Sequence, residues 1–482
     1  MGSLTSKSTW TACAMLAVAL GAAVSAPASA VTVRHGPAAP APAPVAAPAA
    51  NGRCISDEAA DPKNAPTFRT VPATADAKSA SADSAAPRMN LLTMVRSAIR
   101  RSNAVGAAKL LAEAAAIDID EAHAQVYPQV GIGGQVGPID AGAVNSAAVH
   151  GMQFQGNLSI SAPLYDGGHI RDMTDYRTHL AEVAKFGEVS AQEQVALQTV
   201  SLALDRRRYT VEAQVYDQYA RKMGCLVEAL QQIVAADHGR TSELVQARKT
   251  QEQAELSRDQ TLSQKRLTEI RLKRFVGDDL PPTEGITSVM LDTPALPDLI
   301  TMASRASEIQ ALDSQAAALD AYVRGVLDGQ KPQLGVLVAA TKSAGAGNSR
   351  SVSGGLTFNW QVFNAANKYT TDSARKRAAA ARLSREDALE SRKYRMTEVH
   401  EQAEHAMDRA RSVIEILHNS ELVRNFTLQQ WQQLGRRSLF DVMSAEGDHY
   451  NMRVQYVDAL YDTQQSNALL WSLGLGLAVH LE

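Results

Sequence analysis

Aromatic residues are scarce: Phe, Tyr and Trp together make up 5% of the 482 residues. A single large soluble core draws much of its buried area from such rings, so that architecture is not expected. Neither sign of charge is in excess, with 48 basic and 51 acidic side chains and a net charge of −3. That balance offers no basic face to a phosphate backbone, so no nucleic-acid partner is expected. Cysteine is almost missing, with Cys13, Cys54 and Cys225 the whole complement. Three cannot make a four-cysteine zinc site, and whether Cys54 and Cys225 pair stays open. The one long apolar run, Thr11 to Val24, is short for the ~30 Å of a bilayer core.

That run instead reads as part of an export signal. Lys7 precedes it, and Ala28-Ser29-Ala30 supplies the small residues a signal peptidase needs. Pro27 disfavours cleavage after Ala26, so residues 1–30 are assigned to a signal cleaved after Ala30. Residues 31–88 alternate Ala with Pro and then enrich in Ser and Asp. Such a stretch buries too little apolar surface to fold and is assigned as a linker.

Proline is missing from two long spans, 164–280 and 333 to the end. Without the residue that breaks helices, very long ones become possible. Short helical patterns come first, in Leu91, Leu92, Val95, Ala98 and Ile99 and again over 104–126. A hairpin at 129–162 follows, with a loop expected at 138–151. In its second strand Met152, Phe154, Leu158, Ile160, Ala162 and Leu164 alternate with Gln153, Gln155, Asn157, Ser159 and Ser161. One greasy face and one polar face result. Asp166 stands at the capping place of a long helix, 167–236, and a second helix covers 241–276.

The same order then recurs. Helical runs over 298–328 lead to a hairpin at 333–362, a long helix at 365–434 and a returning helix at 438–474. Asn364 takes the capping place of Asp166. Pro128 to Pro332 spans 204 positions, Leu158 to Leu356 198, Gly239 to Gly435 196 and Gly277 to Gly474 197. The shift of about six falls in the hairpin loop, where length is cheapest to change. The chain is therefore divided into two tandem repeats, 89–280 and 281–482.

The 69 residues from Ala366 to Leu434 hold neither Gly nor Pro. As one helix they would run about 104 Å. Leu389, Met396, Val399, Ala403, Ala406, Ala410, Val413 and Leu417 form its apolar seam, spaced 3 and 4 apart from Met396 onward. That is a coiled-coil pattern with small residues for close packing. Four amphipathic strands are too few to close a membrane barrel, whose smallest form has about eight. Oligomerisation resolves the shortfall, with two or three copies sharing one barrel.

The element order, the duplication and the stretch SAPLYDGG at 161–168 resemble the TolC family of outer-membrane efflux and secretion channels. The likeness covers about 89–477. The helix-turn segments HGRTSELVQAR (238–248) and LGRRSLFDVMSAE (434–446) carry it best, and the first is similar to type I secretion members. The resemblance implies an α+β membrane protein: a homotrimer whose four strands per chain form a shared 12-stranded barrel on a long α-helical periplasmic tunnel. It implies a periplasmic adaptor protein and an inner-membrane transporter as partners, outer-membrane lipid around the barrel, and passive export. Lipid-facing positions would be Phe154, Leu158, Ile160, Leu356, Phe358 and Trp360. The adaptor would meet Gly239, Arg240, Thr241, Ser242, Gly435, Arg436, Arg437 and Ser438, where glycine would permit the tight turns. Some family members ring their closed pore with two acidic residues. The first matches Asp441, and the second position holds Ser444, so only one acidic ring is expected. Asp441 also suits the start of a helix in its own right.

No catalytic constellation emerges, so no enzyme, cofactor or metal site is expected. His400-Glu401 and His405 are five apart rather than four, which misses HExxH. Gly131, Gly133, Gly134 and Gly137 miss GxGxxG. The leading function is a type I protein-secretion duct, with a multidrug efflux duct as the alternative. A periplasmic coiled-coil adaptor is the reading from another class, disfavoured because two amphipathic hairpins alternate with the helices. N-terminal sequencing of outer-membrane material is expected to begin at Val31; material that still begins at Met1 would remove the signal assignment.

Overall fold

The two proline-free spans form the longest elements of the chain. In the computed structural model, the residues described are 85–142, 149–236, 238–283, 286, 289–434, 437–474 and 476–481. They fall in one unit, Cys54–Glu482. The assigned signal, Cys54 and most of the assigned linker lie outside the described residues. The order is α1 (Ala85–Arg101), α2 (Asn103–Ala124), β1 (Gln129–Ala141), β2 (Val149–Tyr165), α3 (His169–Ala236) and α4 (Thr241–Val276). Then come α5 (Leu296–Ala303), α6 (Ser307–Asp328), β3 (Gln333–Gly345), β4 (Ser349–Asn359), α7 (Ala365–Leu434), α8 (Leu439–Leu473) and the short α9 (Leu477–Leu481). Two helices, a hairpin, a long helix and a returning helix thus occur twice in succession.

Three boundaries differ from the sequence-based expectation. Helix α1 begins at Ala85, inside the assigned linker, because Pro87 falls in a first turn whose N–H groups have no intrahelical partner. The first hairpin is longer, with pairing from Gln129↔Ser161 through Pro138↔Met152 to Ala141↔Val149. Pro138 is accommodated because β1 is an edge strand. Trp360, expected within a strand, lies one residue past β4: β3 starts at Gln333, which pairs with Asn359, so nothing remains opposite Trp360.

Helix α3 has 68 residues and α7 has 70, about 100 Å each. Each folds back on its successor, α4 and α8 respectively, and α3 also packs along α8. The seam of α7 is buried as its spacing demands: Met396, Val399 and Ala403 are fully covered, and Ala406, Ala410 and Val413 nearly so. Met396, Val399 and Ala403 pack on Leu299 and Ala303 of α5 and Leu470 of α8. Further along, Ala410 and Val413 meet Tyr456 and Ala459 of α8. The largest apolar cluster gathers Leu91 and Met94 of α1, Val200 and Leu204 of α3, Tyr461 and Ala468 of α8 and Leu477 of α9. Tyr456 and Tyr461 are thus placed between helices, where alanine alone would leave gaps.

The four strands form one antiparallel sheet in the order β1-β2-β3-β4. Its junction with the helices is stitched tightly. The Asp166 carboxylate accepts hydrogen bonds from the backbone N–H groups of Gly168 (3.1 Å) and Ile170 (2.5 Å). Asn364 likewise accepts from Ala366 N–H at 2.9 Å. Lys331 Nζ donates to the Gly167 carbonyl at 3.2 Å and pairs with Asp328 at 2.6 Å, joining the β2–α3 corner to the α6–β3 corner. Gly167 and Gly168 have φ of 72° and 100°, and a Cβ on Gly168 would sit 2.6 Å from Asp328 Oδ2. Backbone conformation and space both require glycine there. Gly168→Ala is expected to destabilise the detergent-solubilised protein by about 1–3 kcal/mol, read as a lowered thermal unfolding midpoint. An unchanged midpoint would contradict this role of the corner.

Candidate functional site

The sheet carries one mainly apolar face, interrupted by Lys342 beside Arg350, and one mainly polar face, and the strands run in register apart from a bulge near Leu164. Val130, Ile160 and Val338 lie side by side, as do Ile132, Leu158, Ala340 and Val352. Val336 stands beside Ala162 and Leu356, and Leu334 beside Phe358. The expected lipid-facing residues Phe154, Leu158, Ile160, Leu356 and Phe358 all share this face. They remain open to solvent in the single chain, Leu356 by 75%. The opposite face aligns Gln135, Gln155, Ser343 and Ser349, then Gly133, Asn157, Thr341 and Ser351. Gln135 donates to Gln155 across it at 2.8 Å. Leu337 and Ala339 of β3 interrupt the polar pattern on this side. Among the described residues no helix is long and apolar enough to cross a membrane.

The α3–α4 and α7–α8 turns lie at one end of the helices. Met223, Leu226, Val227 and Leu230 of α3 pack with Ala247 of α4 and with Leu439 and Met443 at the start of α8. His238-Gly239-Arg240 forms a single exposed 3-10 turn. Gly239 sits in that tight turn without adopting a positive φ. Thr241 Oγ1 donates to the His238 carbonyl at 2.7 Å, and Arg240 and Ser242 are exposed. Gly435 and Arg436 lie outside the described residues. Arg437 is exposed, with Nε on Gln430 at 3.3 Å and Nη1 4.0 Å from Asp441.

Ser438 and Asp441 form a reciprocal capping box. The Ser438 hydroxyl accepts from Asp441 N–H at 3.2 Å, and the Asp441 carboxylate accepts from Ser438 N–H at 3.1 Å. Together the two side chains fasten the start of α8 and satisfy two otherwise orphan donors. The Asp441 side chain still remains 41% exposed, and Ser444 is exposed one turn further on.

No protein-family model matches the sequence, and no curated protein matches it. Solved structures do. The chain superposes on the Vibrio cholerae outer membrane protein VceC with a TM-score of 0.68, over 80% of this chain and 96% of that one, at 16% identity. CusC, described as forming a transmembrane channel, gives 0.70 at 16% identity, covering 80% and 92%. A membrane protein from Pseudomonas aeruginosa gives 0.71 at 16% identity, also covering 80% and 92%. The chain has the fold of the TolC-like outer-membrane channels.

Midway along the helices of this TolC-like fold sits a charge cluster that sequence reasoning missed. Arg208 of α3 binds Glu212 at 2.8 Å, Asp458 of α8 at 2.7 Å and Asp462 at 3.3 Å. Arg409 of α7 holds Asp462 from the other side at 2.8 Å. Three helices are thus tied through two guanidinium groups that share Asp462. The available signal was the pairing of Arg208 with Glu212, and of Asp458 with Asp462, at four-residue spacing. Burial, followed by the neighbouring Asp458 carboxylate, pushes Glu212 up to about 7, against the opposing pull of Arg208. The folded chain therefore holds a proton that an ordinary glutamate releases near pH 4.5. Stability should fall as pH rises from about 4.5 to about 7 and then level off. Glu212→Gln is expected to remove that component, so the wild-type advantage at low pH disappears when thermal midpoints are compared across pH 4–9. An identical pH profile in the variant would refute it.

Proposed function

We propose that the chain is one subunit of an exported outer-membrane channel, in which three copies close a 12-stranded barrel above an α-helical periplasmic tunnel. The observation that carries this is the four-stranded sheet: one exposed apolar face, one polar face and two unpaired edges. Hydrocarbon accepts the apolar face but no open edge, because unpaired backbone groups find no water there. Four strands fall short of the smallest barrel of about eight, and three copies supply 12. The polar faces then line a wet lumen. The chain provides a passage and no chemistry: a passive duct from periplasm to exterior, with outer-membrane lipid around its barrel.

The turn end of the helices is the docking end for a periplasmic adaptor protein, which couples the duct to an inner-membrane transporter. Exposed Arg240, Thr241, Ser242, Arg437 and Ser438 offer hydrogen-bonding groups there. The similarity of HGRTSELVQAR to type I secretion members favours protein cargo, with multidrug efflux as the competing cargo class.

Asp441 is assigned to the narrow end. It is partly exposed beside the turn, and a threefold axis would gather three such carboxylates into one ring that attracts cations. Ser444 adds no second ring. In planar bilayers Asp441→Asn should lower cation preference, while Asp448→Asn, about two turns on, should not. Asparagine retains an acceptor for Ser438 N–H, so trimer yield in native mass spectrometry should hold. Unchanged selectivity would leave Asp441 as a helix cap alone, and a stable monomer of the wild-type chain in mild detergent would overturn the shared barrel.

A further inference from the structure

The helix α7 carries a sequence that is chemically symmetric about its centre: His400-Glu401-Gln402-Ala403-Glu404-His405. Each histidine has a glutamate four residues away, which places the two side chains one above the other on a helix. His400 Nδ1 lies 3.9 Å from Glu404 Oε2, and His405 Nε2 lies 4.0 Å from Glu401 Oε2. One donor atom from each of His400, Glu401 and Glu404 falls within 4.8 Å of the other two.

His400 is the unusual member. Its side chain is 12% exposed, whereas those of Glu404 and Glu401 are 56% and 60% exposed. Its Nδ1 is shielded from solvent and makes no hydrogen bond among the described residues. The Glu404 oxygen stands too far away to accept one. A covered ring nitrogen without a partner is costly, and native proteins rarely leave one. A contrasting pair shows what an ordinary contact looks like: His179 reaches Glu182 at 3.0 Å on α3.

We propose that His400, Glu401 and Glu404 bind a divalent first-row transition-metal ion of the Zn2+ class. Metal–nitrogen and metal–oxygen bonds of about 2.0–2.2 Å hold tetrahedral donors roughly 3.4 Å apart. The 3.9 Å gap between His400 and Glu404 is therefore slightly wider than a bound ion requires. Exposed glutamates close it by rotating their own side chains. Two carboxylates neutralise the ion, the imidazole Nδ1 gains the partner it lacks, and a water molecule completes the set. One nitrogen and two oxygens favour Zn2+, Ni2+ or Cu2+ over Mg2+, which prefers an octahedron of oxygens. The ion would pin one turn of α7 beside the level where Met396, Val399 and Ala403 meet α5. The proposal is independent of what the duct carries.

The test uses the untagged full chain in detergent, with Zn2+ titrated against a chromophoric chelator and Co2+ absorption as a second readout. Glu404→Gln and His400→Gln are expected to weaken Zn2+ binding by at least about tenfold and to abolish the Co2+ band of the site. His179→Gln should change neither, and excess Mg2+ should not displace Zn2+. Glu404 is exposed, so its variant decides the matter even where the His400 variant folds poorly. Zn2+ affinity unchanged by Glu404→Gln, or no Zn2+ uptake by the unmodified chain, would overturn the proposal.

Discussion

An amphipathic sheet with two open edges cannot stand alone in a bilayer, and the other elements follow from that constraint. The apolar rows through Val130, Ile160 and Val338 and through Ile132, Leu158 and Ala340 require a nonpolar surrounding. In the proposed channel their backbone edges pair with further strands. Each hairpin is anchored on a helix that starts within a few residues of the last strand, at His169 and Ala365. Helices of this length need a long seam rather than a compact core, and small seam residues let them approach closely. Low aromatic content is a consequence of that economy of space.

The strand-to-helix corner ties the sheet to the long helices. Lys331 and Asp328 bridge the end of α6 to the backbone of Gly167. His169 Nδ1 adds a 2.7 Å contact to the Gly325 carbonyl. The Arg208 cluster makes the analogous cross-link at mid-helix, and the Met223–Leu439 cluster does so near the turns. Between these ties the helices are held by alanine-rich packing, which fixes distance without fixing charge.

Much of the fold was legible because its signals are periodic. Strict alternation from Met152 to Ala162 fixes which residues share a face, and the one-residue slip at Leu164 puts Tyr165 opposite Leu334. The 3-and-4 spacing from Met396 to Val413 marks the buried stripe of α7, and those six residues are indeed covered. Turn and capping residues such as Asp166, Asn364 and Ser438 locate helix ends to within a residue or two. The misses have local causes. Pro87 and Pro138 look like breakers but fall in a helix's first turn and on an edge strand, where each is tolerated. The HExxH spacing relates histidine to histidine and is silent on the two histidine–glutamate pairs, His400–Glu404 and Glu401–His405.

The sequence by itself determined the element order, the helix lengths and the two faces of each strand, since these depend on neighbours a few residues away. Tertiary structure alone decided which charges meet. Arg208 finds Asp458 and Asp462 some 250 residues away in the chain, and Glu212 holds its proton because of burial between helices. It also decided that His400 is covered while Glu404 beside it is open. Contacts between distant segments and the solvent left between them are set by packing, which no local pattern encodes.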